Sequence, residues 1–265
     1  MKHESFSVNR IEYLKKRKKT TVTVHVLRIG LLLLALSLWE LLAQFNVIDS
    51  FITSSPSKIA VTVYKLFAED SLAYHMGVTL YETMLGFLIA VALGYAVAIM
   101  LWWSDTLKRV LEPYIVVLNS LPKIALGPII IIWCGSGTKA IIFMTVLVSV
   151  VVATITMLGG FLATDKNKVL LLRSMGATKV QIMTKLVVPS SVPTFISMLK
   201  ISIGMAWIGS IMGEYLVSRA GLGYLIVYGG QVFKLDLVMA ATVILCVLAS
   251  LLYGAVALLE RKIVR

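Results

Sequence analysis

Charge, cysteine, histidine and proline are all scarce in this chain of 265 residues. Charged residues make up 14% and hydrophobic ones 59%, against roughly a quarter and a half in an ordinary soluble domain. With a mean hydropathy of +0.93, the composition excludes a soluble globular protein and leaves the membrane class. The two cysteines, Cys134 and Cys246, have no partners at metal-ligand spacing, so neither a metal site nor a disulfide framework is indicated. Both read as small apolar packers. The three histidines, His3, His25 and His75, lie in or near flanking segments. No phosphate loop of the form Gly-x4-Gly-Lys-Ser/Thr is present, and Gly135-Ser136-Gly137-Thr138-Lys139 is only superficially like one. The chain therefore does not hydrolyse ATP itself. Without an HExxH or GxSxG motif, or a Ser/His pair, an intramembrane hydrolase has no residues to run on. A potassium-type filter sequence is also missing.

What the chain does have is apolar length. Six stretches near the ~20-residue bilayer length lie at 26–45, 79–103, 112–134, 140–162, 194–216 and 237–259. The formal charge of +12 and the run Lys15-Lys16-Arg17-Lys18-Lys19 invite a nucleic-acid reading. The distribution of charge argues against it. With the N-terminus inside, 18 of the 25 Lys and Arg fall on the cytoplasmic side, 5 on the external side and two, Lys123 and Lys200, within spans. This split places both termini in the cytoplasm by the positive-inside rule. The basic run then reads as a topology signal that can touch anionic lipid. The organisation expected is a cytoplasmic N-terminus over 1–25, a first uncleaved span over 26–45, an external segment over 46–78 and a five-helix core over 79–260. The core includes a cytoplasmic loop over 163–189.

Pro56 opens a helix in the external segment, capped by Ser54 or Ser55, with Ile59, Val63, Leu66 and Phe67 as its apolar stripe. Gly86, Ala90, Gly94 and Ala98 form a ladder of small residues on the second span. Such a ladder lets another helix approach closely. Pro122, Gly127 and Pro128 within one apolar stretch predict a broken third span. Broken spans often line a buried or wet pathway, because freed backbone groups need partners. Gly204, Gly209 and Gly213 give the fifth span a small face, with Trp207 mid-span. Pathway candidates are therefore Pro122, Lys123, Pro128, Lys200, Gly204 and Trp207. Of the ionisable residues in the spans, Lys123 and Lys200 are near enough to the cytoplasmic side to snorkel. Glu40, Glu82 and Glu214 fall toward external ends, where each is expected to pair or to reach water. No acid is expected at mid-membrane, which counts against a proton-coupled carrier.

The one long polar-leaning segment is Leu170–Pro193. Val169–Met175 predicts a short helix, which Gly176-Ala177 breaks into a turn. Thr178 with Gln181 fits a capping box that opens a second helix. Val180, Met183 and Leu186 or Val187 put an apolar stripe on it, and Pro189 is expected to end it. The product is a helical hairpin on the cytoplasmic surface with an apolar face to offer.

Gly176-Ala177 followed by Leu186-Val187-Val188-Pro189 resembles the cytoplasmic loop of ABC importer permeases. Phe51–Ser57, with its Phe-x4-Pro-Ser pattern, is similar to the segment that precedes the core in nitrate-, sulfonate- and taurine-type permeases. The third span matches that family more fully, through Pro113, Leu121, Pro122, Lys123, Ile124, Ala125, Leu126, Pro128, Trp133, Gly135 and Gly137. Gly221–Ile226 matches as well and looks like a short external re-entrant or surface turn. One departure is that the Glu-Ala-Ala which usually begins the loop is Leu170-Leu171-Leu172 here. The resemblance implies an all-α, integral membrane, six-span protein with the type I permease fold. It implies a homodimer with two copies of a cytoplasmic ATPase, which holds ATP and Mg, and an external substrate-binding protein. The chain itself would be no enzyme and would hold no cofactor or metal. Arg173, Gly176, Ala177, Val180, Met183 and Pro189 become the candidates for coupling to the ATPase. The competing reading is a stand-alone carrier or channel without an ATPase.

Overall fold

The computed structural model describes residues 2–45, 47–68 and 71–263. Of the basic residues used above, the side chains of Lys2, Arg10, Lys15, Arg17, Lys18 and Lys262, and all of Arg265, lie outside what is described, as do the side chains of His3 and His25. The described residues form helices, turns and short connections, with no strand among them. They divide into two compact units, 1–62 and 63–265.

The first unit holds α1 (Lys2–Gln44), α2 (Ser50–Thr53) and the start of α3 (Pro56–Ala68). Val22–Gln44 is long and apolar enough to span a bilayer. It continues the N-terminal part as one helix, so the polar start and the first span are not separate elements. Asp49 caps α2 by accepting the Phe51 N–H at 2.8 Å. Glu40 is paired, as expected: its carboxylate accepts from Ser57 N at 3.0 Å and Ser57 Oγ at 2.8 Å. Ser55 caps α3 through the Lys58 N–H, at 3.4 Å.

In the second unit the spans follow the apolar runs. α4 is Ser71–Trp103, α7 is Thr138–Leu162, α11 is Val192–Val217 and α13 is Leu235–Ile263. The span within α4 begins at Leu72, seven residues before the expected 79. Leu72 and Thr79 are both fully buried, although the stretch between them looks polar enough for a loop. The third stretch is broken as expected. α5 (Asp105–Ser120) gives way to a 3-10 turn, Lys123–Leu126, and then to α6 (Gly127–Cys134), with an 87° bend between the two halves. Pro113 sits inside α5 without breaking it. Pro128 stands in the first turn of α6, where its missing N–H is one of the orphan donors anyway.

Helix α7 is the centre of this unit, packed between α4 and α11. The small residues make that possible. A side chain at Gly86 would meet Thr145, and one at Gly94 would meet the Ala153 side chain at 2.7 Å. From the other side, Gly209 and Gly213 lie against Thr145 and Ile141, with Cα atoms 2.7 and 3.0 Å from where a Cβ would stand. Thr145 and Ser149 are buried between the three helices, and Thr83 bonds Ser210 at 2.6 Å across α4 and α11. Gly221–Ile226 is not a surface turn. It opens α12 (Leu222–Gln231), whose Leu222, Gly223, Leu225 and Gly229 are buried. Leu222 and Leu225 pack with Leu72, Trp207, Ala241 and Leu245.

Candidate functional site

The helical hairpin begins at α8 (Lys166–Ser174), capped by Asp165, which accepts the Asn167 N–H at 2.9 Å. The chain reverses at Gly176, whose φ is +79°. A Cβ there would touch nothing within 4 Å, so backbone conformation alone calls for glycine. The Ala177 N–H returns to the Leu172 carbonyl at 2.9 Å and closes the turn. The capping box is formed: the Gln181 N–H donates to Thr178 Oγ1 at 3.3 Å, and the Thr178 N–H to Gln181 Oε1 at 2.8 Å.

The second helix does not stop at Pro189. It runs as α9 (Lys179–Ile182), a π segment (Met183–Val187) and α10 (Val188–Ser190), and α11 begins two residues later. In the π segment the Val188 N–H bonds the Met183 carbonyl, five residues back. This shift rearranges the ladder around Pro189, which has no N–H to give. The hairpin is thus a stiff prolongation of α11 rather than a loop before it.

Its two faces differ. Ala177, Ile182, Met183 and Val187 pack inward on Ala98, Met157 and Phe161. Met183, expected as a docking contact, is only 5% exposed; it anchors the hairpin to the bundle instead. Leu170, Leu171, Met175 and Val180 are each more than half exposed. Leu170 and Leu171 on α8 and Met175 just past its end are not among the site residues that the sequence suggests, although apolar side chains in so polar a segment carry the signal. Arg173 and Lys179 line a cleft of about 450 Å³ beside the hairpin, with Trp102, Asp105 and Lys166. The Lys179 ammonium lies 5.7 and 5.6 Å from the ring centres of Trp102 and Trp103 and donates to the Trp103 carbonyl. It therefore ties the hairpin to the end of α4.

The pathway candidates separate into two groups. Pro122, Lys123 and Pro128 stand at the α5–α6 break, where the Lys123 ammonium donates to the Asn119 carbonyl at 3.1 Å. Gly204 and Trp207 line a crevice of about 380 Å³ with Ser250 and Tyr253 of α13. Lys200 forms an ion pair with Glu260 of α13.

At the opposite end from the hairpin stand Glu82 on α4 and Glu214 on α11. They pair, which is one of the two outcomes expected, but the sequence does not foretell their burial, each being 1% exposed. The Glu82 carboxyl meets Thr138 and the Glu214 carboxyl. Glu214 accepts the Gly223 N–H at 2.6 Å. Side chains at Gly221 or Gly223 would collide with it, Glu214 Oε1 lying 2.7 Å from the first and Oε2 2.8 Å from the second.

Residues 84–265 match the family model for the binding-protein-dependent transport system inner membrane component. The taurine transport system permease protein of Escherichia coli K12 is 24% identical to this chain, over 89% of it and 88% of its own length. The formylaminopyrimidine transport permease protein of Halalkalibacterium halodurans is 30% identical, over 72% and 76%. Among solved structures, an inward-facing methionine ABC transporter superposes with a TM-score of 0.62 at 20% identity, covering 70% of this chain and 94% of that one. A bacterial alginate ABC transporter, in complex with its pentasaccharide-bound periplasmic protein, gives 0.63 at 14%, covering 89% and 94%. The chain belongs to the inner membrane components of binding-protein-dependent transport systems: it is the permease subunit of an ABC importer, with the type I fold and the ATPase on a separate subunit.

Proposed function

We propose that this permease works as a homodimer in a bacterial plasma membrane, with both termini and the α8–α9 hairpin in the cytoplasm. Two copies of the ATPase, holding ATP and Mg, dock on the hairpins. An external binding protein delivers a small solute of the nitrate, sulfonate or taurine kind to the other end. The skewed distribution of Lys and Arg supports the orientation. The taurine-permease relative, matched over most of both chains, supports the solute class.

The observation that carries this reading is the two-faced hairpin. It offers Leu170, Leu171, Met175 and Val180 outward while Ile182, Met183 and Val187 hold it to the bundle. Motion of a docked ATPase then reaches α11 through the α9–π–α10 run, and α4 through Lys179. The glycine faces of α4 and α11 bear on α7, where close backbone approach lets helices shift without displacing bulky side chains. Exposed Asn119 and Ser120, beside Lys123 at the α5–α6 break, favour a wet or partner-covered environment over lipid. This supports placing the pathway and the second copy on that side.

The test is a mild-detergent purification of the full chain from its native membrane, followed by native mass spectrometry. A complex of two permeases and two ATPases, with a co-purifying binding protein stabilised by taurine or nitrate, is expected. A permease free of ATPase, under conditions that keep other ABC complexes intact, would overturn the docking role.

A further inference from the structure

We propose that Glu82 and Glu214 together form a proton-binding site, in which one proton shared by the two carboxyls latches α12 to α4 and α11. The proposal stands on the geometry of this end of the bundle and does not depend on the role assigned to the hairpin.

Both side chains are almost completely buried, and they face each other from different helices. Neither has an ion-pair partner among the described residues. One oxygen of each, Glu82 Oε2 and Glu214 Oε1, has no hydrogen-bond partner among the described residues. Two ionised carboxylates so placed would repel each other in a poorly solvated site, whereas a single proton turns the contact into a charge-assisted hydrogen bond. Paired carboxyls in other proteins share one proton for this reason.

The surroundings supply hydrogen-bonding groups, and among the described residues no cation forms an ion pair with either carboxyl. Thr79 Oγ1 accepts the Leu222 N–H at 2.8 Å and lies beside Glu214. His75 Nδ1 accepts the Gly221 N–H at 2.9 Å, and the His75 ring stacks on Tyr224 at 6.0 Å. Of the other titratable groups around the pair, Tyr215 follows Glu214 on α11, while Tyr74 and Arg219 line a cleft of about 360 Å³ that reaches Glu82. Lys139 is next to Thr138 and exposed. The cleft, with Ser136 and Thr138 on its wall, gives water a route to the pair. In the orientation proposed above it opens outside the cell, so the proton is drawn from the external solution.

What the proton holds in place is the start of α12. The Glu214 carboxyl takes the Gly223 N–H and fills the space left by Gly221 and Gly223. Loss of the proton puts two like charges between α4 and α11 and loosens the seat of α12.

The experiment uses the full chain purified with its partner subunits. The infrared spectrum at neutral pH is expected to show the carbonyl stretch of a buried protonated carboxyl, shifted by deuterium oxide. Glu82→Gln or Glu214→Gln should each remove it, since the amide supplies the donor and leaves the other carboxylate ionised. The thermal unfolding midpoint of the wild type should fall as pH rises above the range where free carboxyls titrate, because a proton held only by the native state costs roughly tenfold in the folded-to-unfolded ratio per pH unit until it is released. Glu82→Gln should flatten that fall, while the exposed control Glu112→Gln keeps it. The absence of the infrared band in the wild type would overturn the proposal, and that reading needs no variant to fold. A pH dependence unchanged in both Gln variants would also overturn it. So would high-pH stability restored by sodium or calcium in the wild type alone, which would make the occupant a metal cation.

Discussion

Thr145 fills the space that a side chain at Gly86 would need, its Cβ lying 2.6 Å from where that side chain would begin. From the other direction the Thr145 Cα is 2.7 Å from the Cβ position of Gly209. One residue of α7 thus sets the approach of both neighbouring helices. Gly86→Val and Gly209→Ala should each destabilise the fold by about 1–3 kcal/mol through overpacking. Gly204→Ala, on the same helix as Gly209 but with nothing within 4 Å, should be neutral or slightly stabilising. Unfolding titrations in mixed detergent would read the difference, and equal effects at Gly204 and Gly209 would refute the contact.

The Lys200–Glu260 ion pair joins α11 to α13, with side-chain exposures of 19% and 37%. Its partial burial sets the expected cost of Lys200→Met at about 1–2 kcal/mol, between the values for surface and buried pairs. The double variant Lys200→Met/Glu260→Gln should recover part of that loss. It should also keep transport, the outcome expected of an ion pair that holds α11 to α13. A double variant that is stable but inactive in a proteoliposome uptake assay would return Lys200 to the pathway.

On the hairpin, anchor and contact can be told apart. Met183→Ala should destabilise the chain by about 2–5 kcal/mol, as for other buried large-to-small changes. Val180→Asp, at an exposed position, should leave stability within about 0.5 kcal/mol and lower the amount of ATPase that co-purifies. Gly176→Val forces a β-branched residue to a φ of +79° and should cost about 1–2 kcal/mol or more. It is expected to uncouple ATP hydrolysis from uptake while the protein stays in the membrane. Unchanged coupling in both Val180→Asp and Gly176→Val would remove the hairpin from its role.

Lys179 holds the hairpin against Trp102 and Trp103. Lys179→Met should raise amide hydrogen exchange over residues 175–181, and Lys179→Arg should preserve protection, since a guanidinium can sit over the same rings. Equal exchange in Met and wild type would show that the aromatic seat contributes nothing.

The apolar runs, the proline-marked break and the capping box of Thr178 are local signals, and each is found where the sequence places it, apart from the early start of α4. Burial that depends on distant neighbours is not local. Glu82 and Glu214 look like residues at span ends, and nothing near either in sequence says that α12 folds over them. The polar look of His75 and Thr79 hides the start of α4, because their partners lie more than 140 positions away. Met183 and Val180 were given one face by ordinary helical spacing. Three residues apart in a regular turn, they stand about 60° from each other around the helix, enough to put Met183 against the bundle and leave Val180 exposed.

That π segment makes the hairpin a matter of phase. A regular helix advances about 100° per residue, so the extra residue within Met183–Val187 fixes the bearing of everything before it about the axis of α11. Deleting one residue there would leave the composition, length and apolar content of the chain almost unchanged. It would still swing Leu170, Leu171 and Met175 about a quarter turn away from their present direction. In this stretch the number of residues therefore carries information that their identities do not, and a one-residue deletion should be harsher than any single substitution.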